Sequence, residues 1–296
     1  MPKAKVNGIN INYRVEGMGE PLVLIMGFSG GQIVGWMFQR RAFKRCYRVI
    51  TFDNRGVGKT DEPSRVCSTK MMADDTVGLL DHLGIKKANV LGISMGGMIA
   101  QALAINYPER INKLVLGCTF AGRDESSGPT TEVLKAVGYG EDTSDEELRS
   151  VPIGKDLDVL ISLALNRRLY RIIFWPVMQM TKIQGRLNGN TGLLGQVEAC
   201  LGHNTLKDLP KVKVPTLVIT GTKDRLIKPS SSEVIAKLIP NAKLVKVEGG
   251  SHGFNMEMRD RFNKEVLDFL RMLSISDMGH FLNRTLWSRQ RGEVAS

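Results

Sequence analysis

Apolar and polar positions divide the first 120 residues into short apolar runs and segments with helical spacing. INYRVEG (11–17) alternates as a half-buried strand does, and four further runs are almost continuously apolar, namely 21–27, 47–53, 89–93 and 111–118. Continuous apolar strands are typical of a parallel sheet that is buried on both faces. Helical spacing follows in 71–85 and again after Ser94, where Pro108 ends the helix. The pattern predicts an α/β fold with helices on both faces of a mostly parallel sheet.

The alternation stops at about residue 122 and resumes at about residue 210. Between these points the chain has a polar, turn-rich segment and then short helix-like runs rich in methionine and aromatic residues. Strand-like runs return at 214–221 and 242–250, with helices near 232–238 and 260–273. The sequence therefore predicts a core domain of residues 1–121 and 210–274. It also predicts a helical cap of residues 122–209 and a basic tail of residues 275–296.

Ser94 lies in GISMG (92–96), between an apolar strand-like run and an alanine-rich helix-like run. Serine favours neither element, because its hydroxyl competes for nearby backbone groups. Gly92 and Gly96 lack a Cβ and allow a turn that other residues would not tolerate. The position is therefore arranged for something besides packing, and Ser94 is a candidate nucleophile. A serine nucleophile needs a base, and the base needs a carboxylate to orient it.

His252 is the histidine best placed to be that base. It lies in the glycine-rich loop EGGSHGFN (248–255), after a strand and before a helix, whereas the other histidines lie in a helix, a turn and the tail. Asp224 follows the preceding strand, and Asp124 is the alternative carboxylate. Because parallel strands end at one edge of a sheet, Ser94, Asp224 and His252 are expected to meet there.

Composition excludes several other classes of function. The chain has 296 residues, 42% of them hydrophobic and 24% charged, as in ordinary globular proteins. Its net charge of +11 is scattered, without a basic helix or interleaved aromatic residues, so nucleic acid is not expected as a partner. The sequence predicts neither a signal peptide nor a membrane span. Widely spaced cysteines indicate a reduced, cytoplasmic protein with no zinc site.

Two local patterns resemble binding motifs that the chain does not complete. GVGKT (56–60) is similar to the end of a phosphate-binding loop, but Asp53 stands where that motif needs its first glycine. Asp74 and Asp75 could suggest a metal site, yet neighbouring helical residues point to different sides. We interpret this pair as a solvated helix start and expect no metal ion.

The serine motif, the later Asp224 and His252 and their strand contexts together resemble the α/β-hydrolase superfamily. Within it, the segments VITFDNRGVGKTDEP, PTLVITGTKDRLI and VEGGSHGF look like the group of 3-oxoadipate enol-lactonases and aclacinomycin methylesterase. The resemblance covers roughly residues 20–120 and 205–273. It implies an α/β-hydrolase fold with a helical cap, and a strained nucleophile elbow at Ser94.

The resemblance also implies an oxyanion hole made by two backbone N–H groups. Met95, after the nucleophile, supplies one, and similarity to the family assigns the other to Phe28. Family members commonly have His-Gly at the start of this loop, whereas this chain has Met26 and Gly27.

The sequence therefore predicts a serine hydrolase that needs no cofactor and cleaves a small, largely apolar acyl substrate, such as a carboxylic ester. Thioesters, lactones, C–C bonds and perhydrolysis remain alternatives, as does a ligand receptor that has kept the hydrolase pocket. The oligomeric state is left open, with a homodimer among the options. The residues expected to contact substrate are Met26, Phe174, Trp175 and Met178.

Overall fold

A computed structural model describes residues 1–61, 67–123, 126–136, 162–166 and 191–272, together with residues 170, 172, 175, 176 and 179. The predicted tail, residues 275–296, lies outside this part of the chain. Within the described residues, no helix is long and apolar enough to cross a membrane.

In the described part of the chain, eight strands form a sheet at the centre of the molecule. They are β1 (Lys3–Val6), β2 (Ile9–Glu16), β3 (Glu20–Ile25), β4 (Tyr47–Phe52), β5 (Ala88–Ile93), β6 (Ile111–Gly117), β7 (Thr216–Gly221) and β8 (Lys243–Val247). Their order in the sheet is β1-β2-β4-β3-β5-β6-β7-β8. Strand β2 pairs antiparallel with β1 and with β4, and every pairing from β4 through β3 to β8 is parallel. This arrangement confirms the predicted α/β fold.

Helices connect the strands and cover both faces of the sheet. They include α1 (Gln32–Gly35), α2 (Met37–Phe43), α3 (Thr69–His82), α4 (Met95–Asn106), α5 (Thr131–Ala136), α6 (Thr191–Leu201), α7 (Ser230–Leu238), α8 (Phe254–Glu257) and α9 (Arg259–Arg271). Short 3-10 turns follow α4 and precede β7, at Pro108–Arg110 and Leu209–Lys211.

The apolar core consists of two layers, one on each face of the sheet. Successive residues of β3 alternate between them, since Leu22 and Leu24 pack in one layer and Val23 and Ile25 in the other. All six residues of β5 and of β7 are buried, which explains why these runs are apolar without alternation. Both layers therefore hold the central strands rigidly, and the loops after these strands start from fixed points.

Elements with weak sequence patterns extend the predicted ones. Strand β1 has charged residues at Lys3 and Lys5 and was not expected, and β2 begins two residues before the predicted run, at Ile9. The region between β6 and β7 contains α5 and α6. Its separation from the core as a cap domain, residues 122–209, stays a prediction.

The expectation that Asp74 and Asp75 form a solvated helix start is wrong for Asp75. Asp75 is 3% exposed, and its carboxylate accepts two hydrogen bonds of 2.7 Å from Arg55, in the loop after β4. Asn7 adds a third bond, at 3.2 Å. Burial is tolerated because the guanidinium neutralises the carboxylate and binds it at two points. Asp74, in contrast, pairs with Lys70 at the surface.

We expect Asp75→Asn to lower the free energy of unfolding by about 3 kcal/mol, because it leaves the Arg55 charge buried without its partner. The matched control is Asp268→Asn, which removes the exposed pair with Lys264 and should change the free energy of unfolding far less, because water screens that pair. Urea denaturation measures both. Equal losses in the two variants would contradict this account of the buried pair.

His203, in the loop between α6 and β7, is buried against polar and aromatic partners. Its Nδ1 lies 3.0 Å from the Thr69 hydroxyl and its Nε2 lies 3.4 Å from that of Thr205. The ring of Phe120 packs edge-on against it. Burial lowers the pKa of His203 from 6.5 to about 4, so the ring is neutral at pH 7.

The pKa of His203 predicts a loss of stability in acid. The unfolded chain takes up a proton near pH 6.5 and the folded chain only near pH 4, so the contribution is complete above pH 6.5 and lost between these values. The loss of stability amounts to about 3 kcal/mol at pH 4. Unfolding free energies measured from pH 7 to pH 4.5 should fall less steeply for His203→Gln than for wild type. Parallel curves would show that His203 titrates normally in the folded protein.

Candidate active site

The turn between β5 and α4 holds Ser94 in a strained backbone conformation. Its φ of 54° and ψ of −126° lie in a region that residues with a Cβ rarely adopt. The Ser94 N–H donates to the Gly117 carbonyl at the end of β6, at 2.8 Å. Helix α4 begins directly afterwards, at Met95. The partly exposed hydroxyl therefore stands at the carboxyl edge of the sheet.

Strand and helix cross so closely at this turn that side chains are excluded beside Ser94. A Cβ on Gly92 would lie 2.1 Å from the Gly96 carbonyl oxygen, and a Cβ on Gly96 would lie 2.1 Å from that of Ile25. Both contacts are with backbone atoms, which cannot move aside without shifting β3 or α4. The two glycines are therefore required by space, as the sequence motif predicts.

The loop after β3 passes directly over the serine. A Cβ on Gly27 would lie 3.0 Å from Ser94 Cβ and 3.5 Å from its Oγ. Among the described residues, the backbone N–H groups of Phe28 and Met95 have no acceptor. Such amides beside a nucleophile are the donors that an oxyanion hole needs. Their assignment to that hole stays a prediction.

Asp224 and His252 form a part-buried hydrogen-bonded pair. Asp224 Oδ2 lies 2.8 Å from His252 Nδ1, and the side chains are 0% and 11% exposed. The other oxygen, Oδ1, accepts from the N–H groups of Leu226 and Ile227 at 2.8 and 3.0 Å. A carboxylate only accepts hydrogen bonds, so Nδ1 carries a proton, and in the neutral imidazole Nε2 is the nitrogen with the free lone pair. The imidazole is thereby fixed in the tautomer that can act as a base.

The strand order brings this pair to the edge where Ser94 stands. Strands β5, β6, β7 and β8 are neighbours, and the loops after β5, β7 and β8 carry Ser94, Asp224 and His252 respectively. Cys118 follows β6, next to Gly117, which binds the Ser94 amide. Its Sγ, an Asp224 oxygen and a His252 nitrogen all lie within 4.8 Å of one another.

Cys118 is a neighbour of the Asp224–His252 pair that the sequence did not single out. Its φ of 45° is positive, and burial, followed by the Asp224 charge, raises the pKa of its thiol well above 9. These three residues are the one group of close potential metal ligands among those described. Yet metals bind the thiolate, and the Asp224 oxygens and His252 Nδ1 already hydrogen-bond to protein groups. The donor set suits proton transfer better than metal binding.

The region between β6 and β7 contacts the loop that carries His252. The Gly253 N–H donates to the Ala164 carbonyl at 2.8 Å. A Cβ on Gly253 would lie 2.5 Å from a methyl group of Leu165, which is buried. Residues 162–164 are helical, in agreement with the short helix-like runs predicted between residues 122 and 210.

The predicted substrate contacts have different surroundings. The Met26 side chain packs over Gly30 and Gly35, where added Cβ atoms would lie 2.6 and 2.3 Å from it, so it also supports the loop after β3. Trp175 is 60% exposed. Phe174 and Met178, and the alternative carboxylate Asp124, lie outside the described residues. Substrate binding by these residues stays a prediction.

The sequence model of the alpha/beta hydrolase fold family matches residues 20–258. The chain belongs to this family. The match includes all three residues of the predicted triad and both predicted oxyanion donors. It agrees with the resemblance that the serine motif and the later Asp224 and His252 suggest.

Individual relatives are hydrolases of several bond types. The 2-hydroxy-6-oxononadienedioate/2-hydroxy-6-oxononatrienedioate hydrolase of Burkholderia vietnamiensis is 30% identical over 89% of this chain and 91% of its own. An enol-lactonase structure from Burkholderia xenovorans has a TM-score of 0.77 at 29% identity, covering 92% of this chain and all of its own. The meta-cleavage product hydrolase CumD of Pseudomonas fluorescens gives 0.76 at 27%, covering 91% and 97%. Hydrolase activity is the function that they support.

The strained backbone of Ser94 predicts that a glycine there stabilises the fold. Ser94→Gly should raise the free energy of unfolding by about 1 kcal/mol relative to Ser94→Ala, because alanine keeps the Cβ that makes the turn costly. Both variants lack the hydroxyl, so the difference between their free energies of unfolding reports the cost of the strained backbone conformation. Equal stability of the two variants in urea denaturation would show that the turn is not strained.

Proposed function

We propose that the chain is a serine hydrolase that cleaves a carboxylic ester of a small, largely apolar acid through an acyl-enzyme. The observation that carries the proposal is the part-buried 2.8 Å Asp224–His252 contact at the sheet edge that also bears the strained Ser94. This is the arrangement that general-base activation of a serine requires. No step of the proposed reaction needs a cofactor.

Acylation begins when His252 Nε2 takes the Ser94 proton as Oγ attacks the substrate carbonyl carbon. The carbonyl oxygen becomes an oxyanion, which the amides of Phe28 and Met95 stabilise by hydrogen bonds. Asp224 stabilises the imidazolium through Nδ1. The tetrahedral intermediate collapses, its C–O bond to the alcohol breaks, and His252 gives its proton to the leaving oxygen.

Deacylation repeats these roles with water as the nucleophile. His252 takes a proton from water, whose oxygen attacks the acyl carbon. The second tetrahedral intermediate releases Ser94, which recovers a proton from His252, and the carboxylic acid leaves. Atoms and charges balance without any further reactant.

A C–C bond hydrolase is the second candidate. It is favoured by the 30% identical relative, which is named as a hydrolase of 2-hydroxy-6-oxo dienedioates, and by the similarity to CumD. The fold positions the same groups for either bond, so the cap residues that contact substrate would decide between them. Turnover of a 2-hydroxy-6-oxo dienoate, measured as loss of dienol absorbance, separates this candidate from an esterase.

We also propose that the chain has a cap domain and lies in the cytoplasm. Residues 122–209 act as a cap over the site, and the contacts of Ala164 and Leu165 with the His252 loop support this role. All four cysteines are free, as expected in the reducing cytoplasm. A homodimer remains an option for the assembly.

We expect the wild-type protein to hydrolyse p-nitrophenyl esters from acetate to decanoate, with an optimum that reports the size of the acyl pocket. Ser94→Ala should lower kcat by at least about 10³-fold and Asp224→Asn by about 10⁴-fold. Asp268→Asn, which changes a surface carboxylate, is the matched control and should retain activity.

Two results would contradict the esterase proposal. Wild type no faster than Ser94→Ala on every ester would favour the C–C hydrolase if the dienoate is consumed, and a ligand receptor if it is not. Full activity of Asp224→Asn would show that another group orients His252.

A further inference from the structure

A buried glutamine of helix α6 connects the predicted cap to the loop over Ser94. Gln196 is 0% exposed, and its Oε1 accepts from the Ser29 N–H at 2.9 Å. Its Nε2 donates to the Arg55 carbonyl at 3.0 Å. One side chain thus holds the loops after β3 and β4, both of which are distant from it in sequence.

The orientation of the Gln196 amide follows from its partners. The Ser29 N–H can only donate and the Arg55 carbonyl can only accept. The oxygen of Gln196 must therefore face Ser29 and its nitrogen must face Arg55, since a flipped amide would lose both bonds. Each half of the amide is used, and both partners are main-chain groups whose positions depend on the loop conformation.

The bond to Ser29 acts on the peptide next to the predicted oxyanion donor. The Phe28 N–H shares a peptide plane with the Gly27 carbonyl, which accepts from the Gly30 N–H at 3.2 Å. The following plane contains the Ser29 N–H that Gln196 binds. Ser29 has a φ of 55°, a conformation that costs energy and persists only when neighbouring contacts enforce it. The two hydrogen bonds together fix the direction of the Phe28 N–H.

Helix α6 is itself held by close backbone packing, so the position of Gln196 is fixed. Its second residue, Gly192, packs so tightly on Gly56 that a Cβ on Gly56 would lie 2.5 Å from Gly192 Cα. Arg55, whose carbonyl binds Gln196, is held by its ion pair with Asp75. A continuous path of contacts therefore runs from Asp75 in α3 through Arg55 and Gln196 to Ser29.

We propose that Gln196 is a positioning residue for the oxyanion hole. Through this side chain, the packing of α6 against the loops after β3 and β4 affects the rate of the chemical step. This inference rests on the proposed serine hydrolase function. A positioning role and a purely structural role for Gln196 have different consequences for the kinetics. A structural glutamine affects stability, whereas a positioning glutamine affects the transition state, where the oxyanion forms, more than the bound substrate.

The test compares Gln196→Met with Gln101→Met on the best p-nitrophenyl ester. Methionine keeps the length and volume of glutamine and removes the amide. Gln101 is the matched control because it is equally buried, donates to the Phe120 carbonyl at 3.0 Å and accepts from Thr205 at 2.7 Å, without touching the loop over Ser94. Both variants lose one buried amide with two hydrogen bonds. Thermal unfolding checks that they are folded at the assay temperature.

We expect Gln196→Met to lower kcat by about 10- to 100-fold with KM changed less than about threefold, since one oxyanion donor is worth about 10²–10³ in kcat. Its affinity for an alkyl boronic acid, which mimics the oxyanion when bound to Ser94, should fall by a similar factor. Gln101→Met should keep wild-type kcat. Equal kcat in both variants, or equal losses in both, would overturn the proposal.

The design separates failure of this inference from failure of the proposed function. If wild type hydrolyses the esters no faster than Ser94→Ala, the serine hydrolase proposal fails, and the inference fails with it. Ser94-dependent activity with unchanged Gln196→Met kinetics means that only the inference fails. If Gln196→Met does not fold, amide hydrogen exchange of the wild-type protein decides. Slow exchange at Ser29 supports the bond to Gln196, and exchange as fast as in an exposed loop overturns it.

Discussion

Close contact between backbones at the end of β5 is the constraint on which the site depends. The carbonyl of Gly96 fills the space beside Gly92, and that of Ile25 fills the space beside Gly96, so strand β5, helix α4 and strand β3 are locked together without side chains between them. This packing forces Ser94 into a positive φ and brings the Gly27 loop over its hydroxyl. The strain is sustained by the buried strands around it, which cannot relax without opening the core.

The parallel sheet supplies the remaining geometry. Its loops leave from one edge, so Asp224 and His252 lie at the same edge as Ser94, which is more than a hundred positions away from them in the chain. Asp224 is buried beside the partly buried His252, and the charge of its carboxylate is met by backbone N–H groups and the imidazole. A low-dielectric site of this kind strengthens each of these contacts. The described segments of the predicted cap then touch several of these loops, among them those after β3, β4 and β8, at Ser29, Arg55 and Gly253.

Local patterns in the sequence were enough to predict strands β2 to β8, the helices α3, α4, α7 and α9, and the edge at which Ser94, Asp224 and His252 lie. Strand periodicity and loop glycines are local, and the edge rule for parallel sheets is general. The contacts of Gln196, of Cys118 and of Asp75 with Arg55 could not be predicted in this way, because each depends on how distant segments pack. Asp75 shows the limit most clearly: its helix position suggested solvent, and only the approach of Arg55 makes its burial possible. Strand β1 is short and charged, so its pattern was too weak.

The central claim is that Ser94 is the activated nucleophile, and a covalent probe tests it most directly. Intact-protein mass spectrometry after treatment with a p-nitrophenyl phosphonate would detect attack on phosphorus without any knowledge of the natural substrate. The account predicts one adduct per chain on the peptide that contains Ser94, formed much more slowly in Asp224→Asn and absent in Ser94→Ala. An unmodified wild-type protein, or an adduct that persists in Ser94→Ala, would contradict it.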